Sequence, residues 1–406
     1  MKYAVVIPAG AVDEPVPELD GRTPLQAAEI PALDRMAATG QLGTAVTIPP
    51  GYQPRGEIGV LSVFGYDPKR YPLARGPLEA YARGMEHGPA DRVFRCSLVT
   101  LAEGRMQDIH AGGISTTQAS QLLEHLNAEL ADPKACFYAG QSYRNLFVWR
   151  DAGPLAKLQT TDPQGLIEQP IRRHLPRGAD AEPLRRLIRW SQRMLEDHEI
   201  NQVRRDLNEN PANAVWVYGQ GHLPDIPRFA GRFGVRGALV AGVDMVRGLA
   251  RRIGWRIIDT PGATGLPDTD YAAKGRAAIA ALDEYDLICV HIEAPDEAGH
   301  AGDAFQKVAS LEAIDSLIVE PLHQRLLQES EYRILVIPSH ATPVKMRAHS
   351  ANPSIFVMAG SDIGSGPRGG TGFDESEAIN GKMHVEPAAG LMEHFIHVKR
   401  MKSLDY

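Results

Sequence analysis

Cysteine is scarce: Cys96, Cys136 and Cys289 are the only three in 406 residues, and no CxxC pair occurs. That excludes a disulfide framework and fits a reducing compartment. Long apolar runs are missing too. No window approaches ~18 uninterrupted apolar residues, so no membrane-spanning helix is expected. The opening run Met1–Pro8 is too short for a signal-peptide core with its cleavage site, and the expected address is the cytoplasm. There is no surplus of positive charge either. Forty-three Lys and Arg stand against 50 Asp and Glu, a net charge of −7. This argues against a nucleic-acid or anionic-membrane partner. Internal repeats are absent.

What is present is an ordinary globular composition, 43% hydrophobic and 23% charged, in a chain long enough for two or three domains or one large domain with an insertion. Short apolar runs alternate with longer amphipathic stretches, the pattern of a largely parallel sheet covered by helices on both faces, and so an α/β fold. Predicted strands are Tyr3–Ile7, Ala214–Tyr218, Ala238–Val243, Arg256–Ile258, Leu287–Ile292, Ile334–Ile337 and Ile355–Met358. Predicted helices include Ser115–Leu130, with Ser115 or a following Thr as cap, and Glu182–Asn208, with Pro183 in its first turn. The arginines of the second (Arg185, Arg186, Arg189, Arg193) read as a solvated face. The stretch 81–175 has shorter apolar runs and reads as an inserted α+β domain, with 1–80 and 176–406 forming the main domain. The Gly-rich piece Gly364–Gly372 reads as a loop and not as a phosphate cradle.

Open α/β sheets bind ligands beyond the carboxyl ends of their strands, so those ends are where chemistry is sought. Leu287–Ile292 runs into Glu293-Ala294-Pro295-Asp296-Glu297-Ala298-Gly299-His300. Asp296 and His300 would share one face if this segment starts a helix. Carboxylate oxygen with imidazole nitrogen suits Zn²⁺ or Mn²⁺ better than Mg²⁺. A helix cap and an unrelated surface histidine satisfy the same spacing. After Ile334–Ile337 come Ser339, His340 and, nine residues beyond His340, His349. The first strand ends in Pro8-Ala9-Gly10, with no side chain able to bind a metal.

Several ordered segments carry a wider likeness. They are MKYAVVIPAGAVDEPVPELDGRTPLQAAEIPALDRMA, LSVFGYDPKRYPLARGPLEA, FYAGQSYRNLFVWR, WVYGQG, DTPGATGLPDTDYAAKGRAA, HIEAPDEAGHAGD and IPSHATPVKMRAHSANPSIF. Through them the chain resembles the archaeal-type cofactor-independent phosphoglycerate mutases of the alkaline phosphatase superfamily over almost its full length. The resemblance implies an alkaline-phosphatase-like fold and interconversion of 2- and 3-phosphoglycerate, a step of glycolysis. It implies two metal ions and a serine that accepts and returns the phosphoryl group.

The implied ligands of one ion are Asp296, His300 and His349, all present. The other ion's implied ligands are an Asp after the first strand, the nucleophilic serine and an Asp-His pair. Those positions are Ala9, Gly56 and Ser339-His340, and the acid following the serine becomes Glu57. Ser62 matches a serine the family already has and reads as a packed helix residue. Arg75, Arg144 and Lys274 stand at positions implied to hold phosphate or carboxylate oxygens. The segment Asp108–Ile114 carries fewer basic or polar groups than its relatives.

Three readings follow. The first is an isomerase, or a relative acting on another phosphorylated small molecule. The second is a non-catalytic or regulatory protein that keeps one divalent ion, manganese or zinc, held by Asp296, His300, His349 and His340. The third is a single-metal enzyme acting on a phosphorylated or acidic small molecule. The loss of the serine at Gly56 disfavours serine-dependent mutase chemistry.

Overall fold

The stretch Lys2–Pro8 is apolar and rich in β-branched residues, and every residue after Lys2 is buried. A strand with both faces covered reads this way, because alternation is only seen where one face meets water. It forms the middle of the main sheet. The computed structural model describes residues 1–406 except 89, 154–156, 222, 365–370, 382 and 398–406. Most of the Gly364–Gly372 loop therefore lies outside the described residues.

In chain order the strands are β1 (Lys2–Pro8), β2 (Gly10–Val12), β3 (Gln41–Ala45), β4 (Arg92–Ala102), β5 (Arg105–Asp108), β6 (Ala135–Gln141), β7 (Arg144–Trp149) and β8 (Ala214–Tyr218). They continue with β9 (Gly237–Val240), β10 (Arg256–Ile257), β11 (Leu287–Ile292), β12 (Tyr332–Val336), β13 (Ser354–Gly360) and β14 (Met383–Val385). Compactness divides the chain into two units, residues 1–72 with 224–406, and residues 73–223.

The first unit is α/β, as its alternating pattern required. Its sheet runs β10-β9-β11-β1-β12-β13-β3-β14. Pairing is parallel from β10 through β12, and β13 lies antiparallel to both of its neighbours. Ala4 and Val6 face a core completed by Leu33 and Met36 of the helix Pro31–Thr39 and by Ala278 of the helix Tyr271–Ala281. On the other face, Tyr3 packs edge-on against Phe395 of the helix Ala389–His397.

The second unit is α+β, with strand order β5-β4-β7-β6 and β8 on the other edge of β4. Its extent differs from the predicted 81–175. The strand Ala214–Tyr218, expected in the main sheet, pairs antiparallel with β4, Val217 opposite Cys96. Leu184, Ile188 and Leu195 of the helix Glu182–Leu195 bury against the same core. The predicted helix Glu182–Asn208 is two helices. The second, Glu199–Asp206, starts at His198, whose ring nitrogen accepts the Ile200 amide as a cap. The cap expected from the sequence is present: Ser115 accepts the Gln118 amide at the start of Thr116–Glu129.

Candidate metal centre

Parallel pairing of β1 with β11 on one side and β12 on the other brings three strand ends together. Pro8 lies opposite Ile292, and Val6 opposite Val336. Residues near 9, 293 and 340 thus leave the sheet at one end, although the sequence holds the first hundreds of residues from the other two. Beyond β11 the chain turns directly into the helix Ala294–Ala301, with Pro295 and Asp296 in its first turn and His300 one turn later. Two glycines allow this helix to sit close to its neighbours. Gly10 has φ +71°, and a Cβ there would meet the Asp296 Cα at 2.5 Å; a Cβ on Gly299 would meet the Thr342 carbonyl oxygen at 2.3 Å.

Asp296, His300, His340 and His349 converge. Asp296 Oδ1 lies 3.0 Å from His340 Nε2 and 3.2 Å from His349 Nε2. His300 Nε2 lies 3.5 Å from Asp296 Oδ2 and 3.1 Å from His349 Nε2. The Thr342 hydroxyl donates to Asp296 Oδ1. All four side chains are nearly excluded from water. The far nitrogens of two rings are engaged outside the cluster. His300 Nδ1 lies 3.0 Å from the Arg347 carbonyl oxygen, and His340 Nδ1 lies 2.9 Å from Ser339 Oγ. Such outer contacts fix ring orientation and turn each Nε2 inward.

The charges in this cluster depend on one another. Burial alone would raise the Asp296 carboxyl, but His300, His349 and His340 around it hold it well below the usual carboxylate range. Burial alone would lower His300, yet the Asp296 carboxylate more than offsets this and raises the imidazole to about 9. Burial, with His340 nearby, pushes His349 down. A carboxylate ringed by inward-facing imidazole nitrogens is a cation site in its donor chemistry. The candidate donors Asp296, His340 and His349 group closely enough to share one ion.

The positions expected to hold a second ion are different. Ala9 is fully buried and offers only a methyl group. Gly56 opens the helix Gly56–Val63; a Cβ there would point to within 3.8 Å of His340 Cε1 and 3.2 Å of Met245 Cε. Ser339 is buried and turned to His340. Glu57 is buried with its Oε2 making no hydrogen bond. Ser62 is packed on the same helix, 1% exposed. Ala9 and Ser339 thus supply no carboxylate at the two positions where the resemblance implies one.

Lys274 is buried on the helix Tyr271–Ala281. Its ammonium donates to the Thr264 carbonyl oxygen at 3.1 Å and lies 3.5 Å from that of His291. Burial lowers it to about 8, with the Glu293 carboxylate pulling the other way. Glu293 also approaches His291, Oε2 to Nε2 at 3.5 Å. Burial, with Lys274 and His340 adding to it, pushes His291 down to about 3, so that ring is neutral.

Arg75 and Arg144 belong to the second unit. Arg75 Nε lies 3.0 Å from Glu79 Oε1, and Arg95 holds the other oxygen of Glu79 at 2.5 Å. Burial would raise Glu79, but Arg95, Arg75 and Arg83 bring it below its ordinary value. The Arg144 guanidinium lies 5.0 Å from the centroid of the Tyr143 ring. Sequence reasoning missed Thr342, His291, Glu293 and the Glu79–Arg95 pair. Of these only Thr342 carried a signal, sitting two residues after His340 in the same strand-end segment.

Comparison with known proteins agrees with this architecture. Residues 37–201 match the family model described as 2,3-bisphosphoglycerate-independent phosphoglycerate mutase. The chain is 41% identical to 2,3-bisphosphoglycerate-independent phosphoglycerate mutase 2 of Methanothermobacter thermautotrophicus, over 97% of this chain and 96% of that protein. It is 42% identical to the Methanothrix thermoacetophila protein of the same family name, over 89% and 92%. Among solved structures, the cofactor-independent phosphoglycerate mutase of Thermoplasma acidophilum superposes with a TM-score of 0.58 at 26% identity, covering 98% of this chain and 100% of that one. A Pyrococcus horikoshii protein superposes with a TM-score of 0.76, also at 26% identity, covering 100% and 99%.

Proposed function

This chain belongs to the 2,3-bisphosphoglycerate-independent phosphoglycerate mutase family, and we propose that it holds one divalent cation while lacking the family's serine-dependent phosphoryl transfer. The reading rests on Gly56. This position faces His340 at the edge of the metal cluster and bears no hydroxyl. Without a nucleophile no phosphoenzyme forms, and one difficult transfer cannot be divided into two easier ones. Ala9 and Ser339 remove the two carboxylates that would balance a second ion's charge.

On this reading the single ion, manganese or zinc, is held by Asp296 and the imidazoles of His300, His340 and His349. When bound, it supplies positive charge at the ends of β1, β11 and β12. Lys274 is a buried cation, still protonated at neutral pH. It supports recognition of a phosphorylated small molecule; Arg75 and Arg144 are separate anion-binding candidates within the second unit. The alternative is a single-metal enzyme acting on such a molecule. Lys274 beside Glu293, three residues before Asp296, is the arrangement that favours it.

Elemental analysis of the purified protein after Mn²⁺ or Zn²⁺ loading and removal of loose ions tests this reading. One ion per chain is expected, lost in His300→Ala. Two ions per chain, or a phosphoserine recovered after incubation with 3-phosphoglycerate, would contradict it.

A further inference from the structure

The second unit contains a cavity of about 550 Å³ that the metal centre leaves unexplained. Small-molecule sites typically span about 300–1,000 Å³. The cavity lies where the end of the helix Thr116–Glu129 and the first turns of the helix Glu182–Leu195 meet β6 and β7. Phe147, Trp149 and Trp190 give it aromatic walls. Phe147 belongs to the buried core of this unit, whereas Trp149 and Trp190 are only partly covered. The Trp149 indole donates to Asp132 Oδ2 at 3.1 Å, which fixes that ring at the cavity wall. Two tryptophans left partly open forgo apolar burial that closer packing of the helix would recover.

The charged groups around it say what it would hold. On the helix Glu182–Leu195, Arg185 and Arg189 both pair with Glu182 at 2.9 Å, as the solvated face read from the sequence requires. Arg186 lines the cavity instead, and among the described residues it has no ion-pair partner. Glu129 lines the cavity from the other helix, likewise without a partner among the described residues. Arg186 and Glu129 therefore do not neutralise each other, as the charges around a mere packing defect would. Asp132 adds a second carboxylate, whose Oδ1 accepts the Lys134 amide. The last turn of Thr116–Glu129 holds no basic residue, so its carbonyl ends add negative potential beside Glu129.

We propose that this cavity binds a zwitterionic aromatic small molecule, of the class of the free aromatic amino acids. The ligand's carboxylate pairs with Arg186, its ammonium with Glu129 and Asp132, and its ring packs against Trp149 and Trp190. A neutral apolar ligand would leave both unpaired charges unused. A simple anion would lie beside two carboxylates, and a simple cation beside a guanidinium; a ligand bearing both charges satisfies all three groups. Every lining residue falls within residues 73–223, whereas Asp296, His300, His340 and His349 all belong to the other unit. The proposal therefore stands independently of the metal reading.

Titration calorimetry on the full chain tests this with L-phenylalanine, phenethylamine, which lacks the carboxylate, and 3-phenylpropionate, which lacks the ammonium. L-Phenylalanine is expected to bind with a Kd on the order of 1 mM or tighter. Each analogue is expected to bind at least about threefold more weakly. Arg186 and Glu129 are exposed, so their variants are expected to keep native circular dichroism. Arg186→Ala is expected to weaken L-phenylalanine and 3-phenylpropionate by about threefold or more while sparing phenethylamine. Glu129→Gln is expected to weaken L-phenylalanine and phenethylamine while sparing 3-phenylpropionate. No saturable heat from L-phenylalanine, equal affinity for all three compounds, or unchanged affinities in both variants would overturn the proposal. Self-association of the chain that Trp190→Ala abolishes would place a second copy in the cavity and overturn it as well.

Discussion

Lys307 and Asp13 form a wholly buried ion pair, Nζ to Oδ2 at 2.6 Å, with neither side chain more than 1% exposed. The same ammonium donates to the Thr342 carbonyl oxygen at 3.0 Å, and Asp13 accepts the Val344 amide at 3.1 Å. Asp13 follows β2, and Lys307 lies on the helix Ala304–Ile314. Together they anchor the segment that carries Thr342, a donor to Asp296, between His340 and His349. Removing one partner strands the other charge in the interior. Lys307→Met is therefore expected to cost about 3–5 kcal/mol in denaturant unfolding. Replacing both partners with apolar residues of similar size is expected to cost much less.

Restoring the lost groups separates their contributions. Gly56→Ser adds a side chain whose nearest neighbour is the flexible end of Met245, at 3.2 Å. A shift of a few tenths of an ångström accommodates it, so stability is expected to change by no more than about 1 kcal/mol. Ala9→Asp alone buries a carboxylate at a site with 0% exposure. It is expected to lower the melting temperature unless Mn²⁺ is present. Only Ala9→Asp, Gly56→Ser and Ser339→Asp together are expected to regain Mn²⁺-dependent mutase turnover. Recovery with Gly56→Ser alone would show that the two acids are dispensable.

The fold was largely legible because its central strands are continuous apolar runs bounded by turns. Leu287–Ile292 and Ala214–Tyr218 are found at their predicted limits. What a run cannot state is its partner, which is why Ala214–Tyr218 could be found as a strand yet assigned to the wrong sheet. β3, with glycine at its middle and no apolar block, was missed for lack of any such run. At the site, Asp296 and His300 were readable from a helical spacing. The orientation of His340 was not, because it depends on Ser339 and on a carboxylate 44 residues earlier. The Lys307–Asp13 pair spans 294 residues, with no local pattern to betray it.

The pH dependence follows from Lys274. Burial holds its ammonium at about 8, against 10.5 in an unfolded chain. Between those values the unfolded chain binds more protons than the folded one, so this residue makes stability rise with pH across that window. Below pH 8 its burial penalty is present in full. Lys274→Met is expected to flatten that rise in melting temperature measured from pH 8 to 10. The same loss of charge is expected to weaken binding of inorganic phosphate as pH passes 8. An unchanged pH profile for phosphate binding in Lys274→Met would show that this ammonium does not meet the anion.

The most direct test of the account is turnover itself. The wild-type protein, loaded with Mn²⁺, is incubated with 3-phosphoglycerate and the formation of 2-phosphoglycerate is followed. With glycine at position 56, no turnover above the protein-free control is expected. A Mn²⁺-dependent rate on the order of 1–10³ s⁻¹, the range of ordinary enzymes, would contradict the account at its centre.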